Sequence, residues 1–162
     1  MTLTKIITAV AALACSAAFA QNVEVKDAWV RAAVPGQQAT GAFMTLTAKD
    51  GTRLVGGASP VAGVTEVHEM KMDGDIMRMR PVSGGLALPA GQPVQLKPGS
   101  YHIMLMDLKA PVTKDSSVPL TLVFKDAKGV ESRLELKLPV AATAPGMPAP
   151  GAPAMSHGQH AH

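Results

Sequence analysis

Short runs of alternating apolar and polar residues, separated by turn residues, cover most of the middle of the chain. Because residues i and i+2 of a strand share a face, this alternation predicts β-strands. The runs lie at residues 27–31, 41–47, 64–70, 76–82, 101–108, 120–125 and 132–138. Asp73-Gly74 and Asp126–Gly129 lie between consecutive runs and predict two hairpins. We expect an all-β fold of about seven to nine antiparallel strands, as a sandwich or Greek-key barrel.

The first twenty residues predict a secretory signal peptide. Lys5 precedes an apolar run that is too short to span a membrane, and Ala18-Phe19-Ala20 is a typical cleavage site before Gln21. Lipid attachment at Cys15 is disfavoured, because Leu13 stands one position away from its place in a lipoprotein signal. We expect an exported protein with no stable membrane insertion after cleavage.

The last part of the chain predicts a disordered tail. Residues 141–162 are rich in Pro, Ala and Gly, contain no Asp, Glu, Lys or Arg, and include several His and Met residues. Such a composition cannot build an apolar core. We therefore expect a single folded domain at residues 21–140.

Charge and cysteine content exclude several functions. The net charge of +3 is spread along the chain without a Lys/Arg cluster, so a nucleic-acid partner is not expected. The only cysteine, Cys15, lies inside the predicted signal. The mature domain would then have no disulfide, no thiolate metal ligand and no blue-copper centre. No nucleophile–base arrangement stands out, so we do not expect an enzyme.

Six of the ten methionines form two clusters, and each cluster contains one of the two histidines of the domain. The first cluster comprises His68, Met70, Met72, Met77 and Met79, and the second comprises His102, Met104 and Met106. In the run at 101–108, strand parity places His102 and both methionines on one face and Tyr101, Ile103 and Leu105 on the core face.

This donor set favours a soft metal. Thioether sulfur suits Cu(I), and imidazole binds both Cu(I) and Cu(II), whereas Ca²⁺ and Mg²⁺ need converging oxygens and Zn²⁺ prefers Cys, His or carboxylate. The competing interpretation is packing, because Met often fills gaps in cores. We assign Met44, in the run at 41–47, to the core on that basis.

The two clusters resemble those of the periplasmic copper chaperones called PCu(A)C. The segments HEMKMDGDIMRMRPV and LKPGSYHIMLMDLKAP carry the family pattern of a His, ten residues, a Met, a spacer of about 21 residues, and His-x-Met. The spacer here has 22 residues, and the extra one falls among turn residues between Gly84 and Gly91, where insertions are tolerated. The resemblance extends over roughly residues 25–138 and implies a cupredoxin-like β-barrel.

The resemblance also implies a ligand set and a role. Four Cu(I) ligands carry over, with Met70 as an auxiliary donor and the remaining methionines of the clusters as supporting or packing residues: His68, Met79, His102 and Met104. Similar tails in some family members are implicated in Cu(II) binding, which implies further auxiliary donors here: Met155, His157, His160 and His162. An incidental low-complexity tail remains the alternative.

The implied role is copper delivery in the periplasm to the copper-site subunit of cytochrome oxidase, or to another periplasmic copper-handling protein. A periplasmic copper buffer or resistance protein would use the same ligands, so the sequence does not separate the two. An adhesion or interaction domain without a metal is a third possibility, and it predicts that the protein takes up no copper.

Overall fold

A computed structural model describes residues 22–146. Within that range the chain forms ten strands and no helix: β1 (Val23–Arg31), β2 (Ala39–Ala48), β3 (Thr52–Ala58), β4 (Ala62–Asp73), β5 (Ile76–Pro81), β6 (Leu86–Leu88), β7 (Pro93–Leu96), β8 (His102–Leu108), β9 (Ser117–Lys125) and β10 (Glu131–Ala141). The all-β prediction is confirmed.

The strands follow one hydrogen-bonded path in the order β5-β4-β8-β2-β1-β10-β9-β3-β6, and β7 pairs with β2. β1 connects two layers, since it pairs antiparallel with β2 and, at Val30 and Arg31, parallel with β10. The layer that contains β5, β4, β8, β2 and β7 carries both His/Met clusters. The other layer contains β10, β9, β3 and β6.

Aliphatic side chains from both layers fill the core. Seven of them have no exposed surface: Val30, Ala42, Leu46, Leu54, Ile103, Leu105 and Leu122. Burial of each large side chain stabilises the fold by about 1.5–3 kcal/mol. Met44 is 2% exposed and packs in this core, as predicted. His102 and Ile103 are both buried, so the strand that carries the second cluster is covered on both faces.

The strand count of seven to nine was too low, and the assumption that all strands are antiparallel was wrong for the β1–β10 pair. β3 contains Gly56-Gly57, which interrupt its alternation, while β6 and β7 have only three and four residues. β1 begins at Val23 and not at the predicted Asp27. A bulge at Asp27 (φ 52°) shifts the register between Lys26 and Trp29, and it therefore interrupts the alternation on which the prediction was based.

Both predicted hairpins are confirmed. In the first, Asp73 of β4 pairs with Ile76 of β5 across a two-residue turn in which Gly74 has a positive φ of 65°. In the second, the Asp126 carboxylate accepts hydrogen bonds from the backbone N–H groups of Lys128 and Val130, at 2.8 and 2.9 Å. This closes the connection between β9 and β10.

The predicted signal peptide and most of the predicted tail lie outside the described residues. β10 ends at Ala141, whose carbonyl oxygen accepts a hydrogen bond from the N–H of Ala32. Between residues 22 and 146, the chain has no helix with the length and apolar character needed to cross a membrane.

Adjacent glycines in β3 allow a matched test of its packing. A Cβ at Gly57 would lie 2.7 Å from the backbone oxygen of Thr121, whereas a Cβ at Gly56 would meet nothing closer than 4.0 Å. We expect Gly57→Ala to lower the free energy of unfolding by about 1–3 kcal/mol through overpacking. Gly56→Ala should leave it within about 1 kcal/mol of the parent. Equal melting temperatures for the two variants, measured by circular dichroism, would contradict this packing.

Candidate metal centre

Three neighbouring strands bring the two His/Met clusters together. β4 lies between β5 and β8, so residues of both flanking strands stand opposite residues of β4. His68 of β4 is paired with His102 of β8, and Met70 of β4 is paired with Met79 of β5. Met104 follows His102 by two residues and therefore shares its face of β8. The register thus places all four predicted ligands and Met70 in one region of the sheet.

The ring of His102 is held by its backbone neighbour and faces a thioether. Its Nδ1 lies 3.0 Å from the carbonyl oxygen of Ser100, and its Nε2 lies 3.1 Å from Sδ of Met79. A carbonyl can only accept, so Nδ1 carries the hydrogen and donates. In the neutral ring Nε2 then has a free lone pair that is directed at the Met79 sulfur, which also has no hydrogen to donate.

The surroundings of His102 keep its ring neutral. Burial lowers the pKa of His102 below 6.5, the backbone hydrogen bond to Ser100 partly offsets this, and the nearby His68 and Arg31 lower the pKa further. At pH 7 the ring therefore offers an unprotonated nitrogen. A hydrogen bond from the other ring nitrogen to a backbone carbonyl is the usual way in which proteins orient a metal-binding histidine.

His68 is equally buried but has a different partner. Its Nε2 lies 3.0 Å from the Glu66 carboxylate. An ionised carboxylate can only accept a hydrogen bond, so Nε2 carries the hydrogen and donates it. Its Nδ1 is buried and has no hydrogen-bond partner among the described residues. A buried acceptor without a partner costs about 1–3 kcal/mol. The centroids of the His68 and His102 rings are 6.1 Å apart.

A cavity of about 280 Å³ opens beside His102. Its lining combines imidazole and thioether donors with an aromatic and a cationic side chain: Met70, Met79, Met104, His102, Phe43 and Arg31. Met79 is 48% exposed, so the cavity opens to solvent on its side. His68 does not line the cavity and is paired directly with His102 on the neighbouring strand.

Sequence reasoning missed the wall of this cavity. The Phe43 ring packs between Trp29, with centroids 4.8 Å apart, and His102, with centroids 6.2 Å apart. The guanidinium of Arg31 lies over Phe43 at 5.2 Å. The sequence did offer one indication of this wall, because aromatic residues are scarce in the chain. Its only Trp, Trp29, and one of its three Phe residues, Phe43, pack together beside His102.

The other methionines of the two clusters, for which supporting or packing roles were expected, lie apart from this cavity. Met72 and Met77 are exposed near the tip of the β4–β5 hairpin, and Met106 is half-buried further along β8. The auxiliary donors of the tail fall outside the described residues: Met155, His157, His160 and His162. Within residues 22–146, no three His, Cys, Asp or Glu side chains cluster as metal ligands. The cavity brings together one imidazole, that of His102, and three thioethers, and His68 lies opposite His102 on the neighbouring strand.

Solved structures share this fold. The chain is similar to the structure described as CuI-DR1885 from Deinococcus radiodurans, with 32% identity, a TM-score of 0.57, and coverage of 76% of this chain and 82% of that one. It is also similar to the copper-bound PCuAC domain from PmoF2, with 20% identity, a TM-score of 0.55, and coverage of 74% and 94%. At that lower identity the likeness shows the fold alone, and the fold is that of the PCuAC domains.

A curated relative and a family model match the same part of the chain. The relative, from Leifsonia xyli subsp. xyli (strain CTCB07), is named "Putative lipoprotein Lxx21020" and is 36% identical over 107 residues, which span 66% of this chain and 64% of the relative. The family model, described as "Putative lipoprotein LpqE-like", matches residues 23–140, which include all ten strands but for Ala141. The chain therefore belongs to the LpqE-like family.

Proposed function

We propose that this protein is an exported copper chaperone that binds Cu(I) through His68, Met79, His102 and Met104. The observation that carries the proposal is the lone pair of His102 Nε2 directed at Met79 Sδ, 3.1 Å away, beside a cavity lined by two more thioethers. Two donors on one ion, with bonds of roughly 2.0–2.3 Å as for Zn²⁺, stand roughly 3–3.5 Å apart. The distance between Nε2 of His102 and Sδ of Met79 is already close to that separation.

The donor chemistry supports Cu(I) over other ions. Thioethers are soft and neutral ligands, and the described residues around the cavity add no carboxylate that would favour a hard cation. Four neutral ligands leave the charge of the ion uncompensated, which suits a site that must release its metal. The description of the Deinococcus radiodurans relative as a CuI form supports the same assignment.

His68 can complete the site through its unpaired nitrogen. Nε2 donates to Glu66, so the lone pair of Nδ1 is the one available for a metal. A bond from Nδ1 to copper would remove the cost of leaving this buried acceptor without a partner. Glu66 would then orient His68 as the Ser100 carbonyl orients His102.

The exposure of Met79 suggests how the metal leaves. His68 and His102 are each 6% exposed, whereas Met79 is 48% exposed. An incoming ligand from an acceptor protein would therefore reach the copper on the Met79 side and displace that thioether first. The two buried imidazoles would hold the ion until the acceptor supplies further ligands, so that transfer proceeds by stepwise exchange.

We propose the periplasm as the location and a copper-site subunit of cytochrome oxidase, or another periplasmic copper-handling protein, as the acceptor. Export rests on the predicted signal and on the naming of the relatives as lipoproteins. That naming favours lipid attachment at Cys15 as an alternative to cleavage before Gln21. The intact mass of the mature protein distinguishes the two forms. Binding and transfer, without catalysis, account for the residues of the site.

Replacement of the ligands should abolish Cu(I) binding. We expect a variant with Ala at 68 and 102 and Leu at 79 and 104 to lose all competition for Cu(I) against a chromophoric chelator such as bicinchoninate. Because two of these residues are buried, the single variant Met79→Leu, at an exposed position, provides a test that does not threaten the fold. It should weaken Cu(I) binding by at least roughly 10–100-fold, the loss caused by removing even an outer partner of a metal ligand.

Met106→Leu is the matched control, because Met106 lies on the same face of β8 as Met104 but outside the cavity. It should retain the affinity of the parent chain. Undiminished Cu(I) affinity in a folded Met79→Leu variant would refute the ligand set.

Delivery and storage predict different outcomes in a strain that lacks the protein. If the protein delivers copper, cytochrome oxidase activity should fall under copper limitation and should be restored by added copper or by the parent gene, but not by the Met79→Leu variant. Normal oxidase activity combined with sensitivity to excess copper would instead support the copper buffer.

We further propose that the tail adds a Cu(II) site. Imidazoles accept Cu(II) readily, and the predicted tail holds three of the five histidines of the chain. A chain that ends at residue 146 should lose Cu(II) uptake in equilibrium dialysis while keeping its Cu(I) affinity. Equal Cu(II) stoichiometry in the full and shortened chains would contradict this role.

A further inference from the structure

Packing does not explain why methionine stands at positions 72 and 77. Both lie near the tip of the β4–β5 hairpin, and they are 54% and 49% exposed. Supporting or packing roles were expected of them from the sequence, but side chains exposed to this degree contribute little to a core. Their place in the strand register suggests another role.

The two side chains form a cross-strand pair next to the metal centre. Met72 is paired with Met77, and the pair of Met70 and Met79 lies two residues nearer to His102. Residues two apart share a face, so all four thioethers project from the same side of the hairpin. Two residues of a strand span roughly 6.6–6.8 Å, which is the separation of the two pairs along the hairpin.

The backbone hydrogen bonds show that both Met pairs are non-hydrogen-bonded cross-strand pairs, in which the two side chains lie closer together than in hydrogen-bonded pairs. The N–H of Met70 donates to the carbonyl oxygen of Ser100, so the backbone groups of Met70 point away from β5. Met70 and Met79 are therefore a non-hydrogen-bonded pair, as are Met72 and Met77 two residues further on. In such pairs the Cα atoms are about 4.5 Å apart and the side chains approach closely. Two thioethers at this separation can bind one ion together.

The opposite face of the hairpin carries its charges. Arg78 contacts Asp73 at 2.9 Å and Arg80 contacts Glu69 at 3.0 Å, and Lys71 is paired with Arg78. The two strands themselves consequently place soft donors on one face and their own charged side chains on the other, and the guanidinium nearest to the thioethers is that of Arg31 in the cavity lining. This segregation would suit the approach of a monovalent soft cation.

We propose that Met72 and Met77 form a second, weaker site for a soft monovalent metal ion, which receives Cu(I) and passes it to Met70, Met79 and then His102. No electron is transferred, and copper remains Cu(I) throughout. A lone pair of the Met79 or Met70 sulfur forms a bond to the ion as the bond from Met77 or Met72 breaks. The three rotatable bonds of each Met side chain allow the sulfurs to span the distance between the pairs. The direction of transfer rests on the proposed function, whereas the existence of the site does not.

Ag(I), a redox-inert soft cation, tests the site directly. In the full chain with ¹³C-labelled Met methyl groups, we expect the first equivalent of Ag(I) to shift the Met79 and Met104 signals. A second equivalent should shift those of Met72 and Met77. In the variant without the four proposed ligands, the Met72 and Met77 signals should still shift. If neither protein shows these shifts when Ag(I) is in excess, the second site is refuted.

Kinetics test the transfer. In stopped-flow mixing with Cu(I)–bicinchoninate, Met72→Leu/Met77→Leu should take up Cu(I) at least about fivefold more slowly than the parent and bind it with the same final affinity. Met106→Leu, which removes a thioether elsewhere on the sheet, should match the parent rate. An unchanged rate in the double variant would overturn the relay. A parent chain that takes up no Cu(I) would refute the proposed function instead, and leaves the Ag(I) result to decide the second site.

Discussion

The pairing of β4 with β5 on one side and β8 on the other is the constraint on which the site depends. It aligns His68 with His102 and Met70 with Met79, so the donor side chains come from three strands of one sheet. The register is fixed by the two-residue turn after Asp73 and by the burial of Val67 and Ile103 in the core. A slip of one residue in either pairing would turn the donors to the opposite face.

The same pairing divides the donors between a buried and an exposed side. β8 is covered and holds His102 with a backbone hydrogen bond, whereas β5 is an edge strand whose residues are all exposed. The imidazoles are therefore rigid and shielded, and the thioethers of the hairpin are accessible. In the proposed function, the buried imidazoles would retain the copper and the exposed thioethers would release it, so the two properties would come from different strands of one sheet.

Strand parity and residue chemistry were sufficient to predict the all-β fold, both hairpins and the core position of Met44. Parity also predicted that Met104 shares a face with His102. The pattern did not reveal β3, β6 and β7, because glycines or short length leave too few alternating residues. The contact between Phe43 and His102 and the bond from His68 to Glu66 could not be predicted, since they depend on side-chain packing between strands and on ring orientation. The bulge at Asp27 could not be predicted either, because it shifts the alternation of apolar and polar residues within a single strand.

X-ray absorption of the Cu(I)-loaded full chain tests the central claim most directly. The account predicts a single copper environment with both imidazole nitrogen and thioether sulfur in its coordination shell, and loss of one sulfur contribution in Met79→Leu. A shell of nitrogen and oxygen alone, or a sulfur count that is the same in Met79→Leu as in the parent, would contradict it.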